Sequence, residues 1–299
     1  MLGSTVTAAA KRTRFRADLA SGRLLRLPGA FSPLVARLVQ ETGFDGVYVS
    51  GAALSADLAL PDIGLTTLSE VATRGVAIAQ ATDLPTLIDA DTGFGEPLNA
   101  ARTVRVLEQA GLAGLHLEDQ VNPKRCGHLD NKAVVPIPEM LGRLRAATGA
   151  RTDPAFVVCA RTDARTVEGL AAAIDRAKAY VDAGADMIFA EALADEAEFA
   201  AFRAAVDVPL LANMTEFGKS KLLTAATLAD LGINVVLYPV TTLRIAMGAV
   251  EAGLRTIAAD GTQAAVIPAM QTRARLYELL EYADYNQFDS SVYNFTLGG

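Results

Sequence analysis

The sequence predicts an α/β chain folded as a (β/α)8 TIM-type barrel with a helical C-terminal extension. Three observations carry that expectation: a recurring unit of amphipathic stretch, glycine and short apolar run; eight such apolar runs; and polar residues directly after six of them. The unit shows in Glu41-Thr42-Gly43 ahead of Gly46-Val47-Tyr48-Val49, in Gln109-Ala110-Gly111 ahead of Leu115-His116-Leu117, in Asp182-Ala183-Gly184 ahead of Met187-Ile188-Phe189, and in Leu231-Gly232 ahead of Val235-Val236-Leu237. Glycine suits the left-handed position that ends a helix, and a short continuous apolar run suits a parallel strand buried on both faces.

The first 26 residues set Lys11, Arg12, Arg14, Arg16, Arg23 and Arg26 against the single acid Asp18. Transit peptides share that composition, but an ordinary amphipathic helix or arm over residues 1–23 is the preferred reading. Strands are expected at 24–27, 47–49, 86–88, 114–117, 156–159, 187–189, 210–211 and 235–237. A doubly wound sheet would carry a glycine-rich phosphate turn after its first strand, and Leu27-Pro28-Gly29-Ala30 is not one. With no low-complexity linker, residues 1–299 read as one domain. Its helical extension, from about Pro268, carries Tyr277, Tyr282, Tyr285, Phe288, Tyr293 and Phe295, a spacing expected to pack on the barrel or on a neighbouring subunit.

Composition narrows the function. A formal charge of -7 and a pI near 5.0 argue against a broad nucleic-acid surface and leave small-molecule chemistry as the expectation. Two cysteines, Cys126 and Cys159, and two histidines, His116 and His128, make neither a disulfide framework nor a paired zinc pattern. No apolar run reaches the ~18 residues that span a bilayer. No membrane association and a cytoplasmic location are therefore expected.

In such a barrel, chemistry gathers where the strands end. Strand two runs into Ser50-Gly51, strand three into Asp89 and Asp91, strand four into Glu118-Asp119, strand five into Arg161-Thr162-Asp163, strand six into Glu191, and strand seven into Asn213 with Thr215. Any one of these could be an N-cap or turn residue. Together, Asp89, Asp91, Glu118 and Glu191 crowd carboxylates whose repulsion a hard divalent cation offsets. In Lys124-Arg125-Cys126-Gly127-His128 three cationic groups surround a thiol, a setting expected to lower its pKa and make Cys126 an acid, base or nucleophile; a surface thiol without a role fits the spacing equally. Cys159, inside Phe156-Val157-Val158-Cys159-Ala160, reads as packing, and His116 as either an interior hydrogen-bonded histidine or a catalytic one. A Cys-His-Asn triad is open, but leaves the carboxylates unexplained.

The segments Asp89-Ala90-Asp91-Thr92-Gly93-Phe94-Gly95, Gly114-Leu115-His116-Leu117-Glu118-Asp119-Gln120, Lys124 to His128 and Asn213-Met214-Thr215-Glu216-Phe217-Gly218 resemble the isocitrate lyase and phosphoenolpyruvate mutase superfamily, and within it the methylisocitrate lyases. The resemblance runs from about Pro28 to Gln271-Thr272-Arg273, and the cysteine loop with the Asp-x-Asp segment is its most specific part. It implies retro-Claisen cleavage of 2-methylisocitrate, a tricarboxylate of propionate breakdown through the methylcitrate cycle, to pyruvate and succinate.

Carried over residue by residue, the resemblance implies Mg2+, with Mn2+ as a substitute, held by Asp89 with Asp62, Asp91 and Glu118 contributing largely through water. It makes Cys126 the general acid, Lys124, Arg161 and His128 stabilisers of anions, and Tyr48 or a metal-bound water the base. Substrate carboxylates would meet the backbone of Ser50, Gly51 and Ala52, together with Gly127, His128, Arg161, Glu191, Asn213, Thr215 and Arg244. Phe189 and Leu237 would wall the substrate methyl, a discrimination worth ~1 to 3 kcal/mol. The family further implies a homotetramer. Related alternatives are 2,3-dimethylmalate lyase and oxaloacetate hydrolase; a non-catalytic dicarboxylate-binding barrel would not need the thiol.

Overall fold

The structure is a computed structural model that describes residues 3–129 and 131–293. The elements begin with α1 (Ala8–Ala20), β1 (Leu25–Pro28), α2 (Pro33–Glu41), β2 (Val47–Val49), α3 (Gly51–Asp57), α4 (Leu68–Gln80), β3 (Thr86–Asp89), α5 (Pro97–Gln109) and β4 (Gly114–Glu118). They continue through α6 (Ile137–Ala150), β5 (Val157–Thr162), α7 (Ala164–Val167), α8 (Leu170–Asp182), β6 (Met187–Ala190), α9 (Glu196–Ala205), β7 (Leu210–Asn213), α10 (Ala225–Asp230), β8 (Val235–Tyr238) and α11 (Thr241–Asp260). After a 3-10 segment, Ala264–Ala269, come α12 (Arg273–Leu279) and α13 (Tyr282–Tyr293).

Among the described residues, eight parallel strands run in the order β1-β8-β7-β6-β5-β4-β3-β2. The bridge Gly29↔Tyr48, with Ala30 N–H donating to the Tyr48 carbonyl at 2.8 Å, joins β1 to β2 and closes the barrel. Each expected strand is present. Seven of them run further at their C-terminal ends than expected, to Pro28, Asp89, Glu118, Thr162, Ala190, Asn213 and Tyr238.

Strand side chains alternate between two environments, as the two-residue period requires. Val47, Val49, Ile88, Leu115, Leu117, Val158, Ala160, Ile188 and Ala212 pack outward beneath the helices. Leu25, Leu27, Tyr48, Leu87, Val157, Cys159, Met187, Phe189, Leu211, Val235 and Leu237 fill the interior, where Cys159 is inert packing as expected. Close strand approach needs Gly114, because a Cβ there would lie 2.6 Å from the Val157 carbonyl oxygen. Continuing the interior rows to the C-terminal rim replaces apolar with polar residues: Leu87 leads to Asp89, Cys159 to Arg161, Phe189 to Glu191 and Leu211 to Asn213.

The basic N-terminal segment is a structural plug. Phe15 and Leu19 enter the interior cluster from the opposite end of the barrel. Lys11 Nζ donates to the Ala79 and Thr82 carbonyls (2.8 and 2.5 Å), Arg12 to those of Glu108 and Leu112, and Arg16 to those of Ala155 and Phe156. Cations thus meet the carbonyl ends of α4 and α5, where helix dipoles favour them. Phe15→Ala should lower unfolding stability by roughly 3 to 5 kcal/mol through the cavity it leaves, read by denaturant titration; an unchanged midpoint would show that α1 does not seal the barrel.

The departure from a simple barrel begins before Pro268, which lies in the 3-10 segment. The first turn of α11 is tied to the mouth through Thr242 Oγ1 to the Gly29 carbonyl at 2.6 Å, yet no α11 residue is buried, and Ile245, Met247, Val250, Leu254 and Ile257 are exposed. Where an eighth outer helix would cover α2, a groove of about 680 Å3 stays open, walled by Pro28, Phe31, Val35, Leu38, Phe44 and Ile245. α12 returns to α2 through Arg275–Glu41 and through Arg37 donating to the Leu279 carbonyl at 2.9 Å. Of the tail aromatics, Tyr277 stacks on Tyr282 at 4.7 Å, Tyr285, Phe288 and Tyr293 are exposed, and Phe295 lies outside the described residues.

Candidate active site

Strand register assembles the site. Asp89 pairs beside His116, and Glu118 beside Arg161, which in turn neighbours Phe189. In a parallel sheet such partners face the same side, so carboxylates and guanidinium arrive at the rim together. They surround a cavity of about 190 Å3. Its wall takes Tyr48, Ser50, Ala52, Asp62 and Asp89 from one side, Cys126, Gly127 and His128 from the loop above, and Arg161, Phe189, Glu191, Asn213, Thr215 and Arg244 from the other. Asp91 and Lys124 instead face an adjoining cavity of about 650 Å3. Gly51, Glu118 and Leu237 line neither; Leu237 sits in the interior cluster with Phe189.

On the β2–β3 side, Asp89 accepts from the backbone N–H groups of Gly51 (3.2 Å) and Asp91 (3.0 Å). A Cβ on Gly51 would stand 2.8 Å from Asp89 Oδ2, so the close approach needs glycine. Asp91 takes the left-handed backbone that short polar residues tolerate, with φ 46°. Tyr48 Oη and His116 Nε2 are 2.8 Å apart, while His116 Nδ1 is 3.7 Å from Asp89, too far for a hydrogen bond. Burial outweighs the pull of Asp89 and brings His116 down to about 4, so the imidazole is neutral at pH 7. Burial and then Asp89 push the Tyr48 phenol well up, so it holds its proton.

Lys124 is buried between Asp91 (2.7 Å) and Asp62. Against burial, which lowers it, Asp91, Glu118 and Asp89 hold its ammonium well above the ordinary lysine value. Burial raises Asp91 to about 6, Lys124 pulling the other way. Glu118, fully buried, is raised well above the carboxylate range by desolvation although Arg161 Nη1 lies 3.1 Å away.

The fit to a cation can be tested on these groups. Glu118 Oε1 is buried without a partner among the described residues, while Asp91 Oδ1 and Glu118 Oε2, buried too, face only the Lys124 ammonium at 2.7 Å and the Arg161 guanidinium at 3.1 Å. Three acidic or imidazole groups are not gathered around one point there. The donor set is still all hard oxygen, and a cation that keeps several waters needs only one or two direct carboxylates. The residues fit Mg2+.

Across the cavity, Arg161 is gripped by Asp163 (Nε 2.9 Å, Nη2 3.2 Å) and lies over the Phe189 ring at 5.2 Å. His128 Nε2 is 3.0 Å from Glu191, and its Nδ1 accepts the Lys219 N–H at 2.9 Å. Glu191 is held below the ordinary range: burial opposes this, and Arg161 and His128 outweigh it. Asn213 donates to Glu191 at 3.3 Å and keeps a buried, unpartnered Oδ1. Arg244 is drawn to Glu216 (2.7 Å) and reaches Thr215 Oγ1 at 3.4 Å.

Cys126 differs from the sequence expectation. Burial raises its thiol, partly offset by the His128 N–H, and the basic residues near it in sequence are engaged elsewhere: Lys124 with Asp62 and Asp91, His128 with Glu191. The Arg125 guanidinium reaches the Lys124 carbonyl at 3.4 Å within the loop, while Gln120 pins the Arg125 backbone, accepting its N–H at Oε1 and donating from Nε2 to its carbonyl, both at 2.8 Å. The thiol is therefore protonated at neutral pH, which suits a proton donor and not a standing thiolate nucleophile.

Sequence reasoning passed over Gln120 and Lys132. Lys132 Nζ bonds the Gly127 carbonyl and Asp163 Oδ1, the latter at 2.7 Å. Nothing in the spacing of Leu129-Asp130-Asn131-Lys132 marks it.

The model of a family described as phosphoenolpyruvate phosphomutase matches residues 15–258. A Corynebacterium glutamicum protein named probable 2-methylisocitrate lyase 2 is 62% identical over 296 residues, covering 99% of this chain and 96% of that one. Among solved structures, oxaloacetate acetylhydrolase with the inhibitor 3,3-difluorooxalacetate superposes with a TM-score of 0.90 at 33% identity, covering 95% of this chain and 97% of its own. Phosphonopyruvate hydrolase in complex with oxalate and Mg2+ does so with a TM-score of 0.86 at 34% identity, covering 94% and 98%.

Proposed function

The chain belongs to the phosphoenolpyruvate phosphomutase family, and on that premise we propose that it is a carbon–carbon lyase cleaving 2-methylisocitrate to pyruvate and succinate. The observation that carries the reading is a protonated thiol, Cys126, facing a cavity whose opposite wall holds Asp89 and Tyr48 and whose flank holds Arg161 and His128.

Asp89, with Asp62, Asp91 and Glu118 around it, would hold Mg2+ or Mn2+. Such an ion supplies Lewis-acid polarisation of the substrate's hydroxyl oxygen as it becomes the pyruvate carbonyl. The residues do the rest. Arg161, His128, Asn213, Thr215 and Arg244 offer donors to the substrate carboxylates. Tyr48 would take the hydroxyl proton as its own moves across the 2.8 Å contact to His116 Nε2, a transient transfer because burial keeps that imidazole neutral at rest. Breaking the bond between the hydroxyl-bearing carbon and the adjacent carboxylate-bearing carbon leaves the electron pair on the succinate half. Arg161, His128 and, from the metal side, Lys124 offset that charge. Cys126 gives its proton to the carbanion, and return of the hydroxyl proton to the thiolate through solvent closes the balance. Phe189 faces the substrate methyl, with Leu237 supporting it from beneath.

The exposed face of α11 and the uncovered groove beside α2 support a homotetramer in which copies bury each other's apolar surface. Light scattering should return four times the 31.3 kDa chain mass; a monomer would count against it. A cytoplasmic site of action fits small-molecule chemistry, and among the described residues no helix is long and apolar enough to cross a membrane.

The deciding assay offers purified protein 2-methylisocitrate, isocitrate, 2,3-dimethylmalate and oxaloacetate with Mg2+. Pyruvate should form fastest from 2-methylisocitrate, stop with EDTA and return with added Mg2+. Preferred release of glyoxylate, propionate or oxalate would assign another substrate, and EDTA-resistant turnover would remove the metal.

A further inference from the structure

The loop that carries Cys126 has a fixed neck. Val121 N–H donates to the Ala133 carbonyl at 2.9 Å and Val135 N–H to the Asp119 carbonyl at 2.8 Å, so the chain between them swings out over the cavity and returns to the same place. Three basic residues of this loop then reach acids at the rim: Lys124 to Asp62 and Asp91, His128 to Glu191, and Lys132 to Asp163. The first two pairs consist of groups that a bound metal or substrate would compete for. The third lines neither cavity, and its side chains are 2% and 0% exposed.

Asp163 is shared. Its carboxylate grips Arg161 within the barrel and Lys132 from the loop, and its own N–H is tied to Asp119 at 2.9 Å. Lys132 also binds the Gly127 carbonyl, the residue next to the thiol. A buried carboxylate stripped of one of its two cations is strongly disfavoured, so this contact favours the arrangement in which the loop covers the mouth.

We propose that Lys132 is a positioning residue, a latch that holds the Cys126 loop over the cavity by bridging the Gly127 carbonyl to Asp163 and so to Arg161. The proposal rests on the assigned role of Cys126 for its bearing on turnover, but the latch itself is readable without substrate. Cys159 is fully buried in the barrel interior, so alkylation of the folded protein by iodoacetamide reports Cys126, with the modified peptide identified by mass.

Lys132→Met keeps an unbranched side chain one atom shorter and removes the ammonium. It should speed alkylation by about tenfold at constant pH and lower kcat by a similar factor, as expected for a shift of the loop toward uncovered forms. Loss of a nearby cation raises a thiol pKa and alone would slow alkylation, so acceleration reports access. Lys132→Arg should restore slow alkylation, and Lys132→Gln repeats the comparison should the methionine variant not fold. Unchanged alkylation in a folded Lys132→Met protein, or a Lys132→Arg protein as reactive as the methionine variant, overturns the latch whatever the turnover. Absence of pyruvate formation with the alkylation pattern intact overturns the assigned reaction and leaves the latch standing.

Discussion

Replacing Cys126 by serine is expected to lower kcat by about a thousandfold, within the range that a positioned general acid contributes, while succinate still binds. Serine keeps the size and a donor O–H, but its acidity is far too weak to protonate the succinate carbanion at a useful rate. Binding survives because the carboxylate donors come from Arg161, His128, Asn213 and Arg244. The pH profile carries the same signature. The thiol sits above its ordinary value of 9.0 through burial, so the acid stays loaded through neutral pH and turnover falls only as pH rises past that value. Steady-state kinetics with succinate inhibition of both proteins decides it; a serine variant with near-normal kcat would take Cys126 out of the mechanism.

The second large effect lies one residue on. A Cβ built on Gly127 would meet Glu191 Cγ at 2.6 Å and come closer still to Glu191 Oε1 and Arg161 Nη2. Those neighbours are held by His128, Asn213 and Asp163 and cannot yield without breaking the site. Gly127→Ala should therefore lift the loop and reduce kcat/KM by about a hundredfold or more, the scale of an ångström-sized misplacement, with little change in melting temperature because the loop lies over the mouth and outside the core. A variant with wild-type kcat/KM would mean that the loop does not descend this far during turnover.

How much of this was readable beforehand follows from what each residue faces. The strands were legible because parallel strands buried on both sides leave unbroken apolar runs. Their C-terminal ends were not: at Arg161 and Asn213 the interior rows continue in polar residues, which in sequence look like the start of a loop. The carboxylates and the cysteine loop could be named from their places after strands. The charge state of Cys126 could not, because Lys124 and His128 lie two residues from it in sequence yet turn to Asp91 and Glu191. Lys132 went unseen for the related reason that its partner, Asp163, is 31 residues away. The exposed α11 was equally hidden, since an amphipathic helix reads the same whether its apolar face meets its own barrel or another copy.

The central claim is that a proton held on one face of the cavity, at Cys126, reaches the carbanion released by carbon–carbon cleavage. Running the reaction on 2-methylisocitrate in D2O tests it most directly. The succinate formed should carry one deuterium in a single stereochemical sense, delivered from a solvent-exchanged thiol fixed above the substrate. Succinate with deuterium scrambled between the two senses would mean protonation from free water, and that result would contradict the assignment.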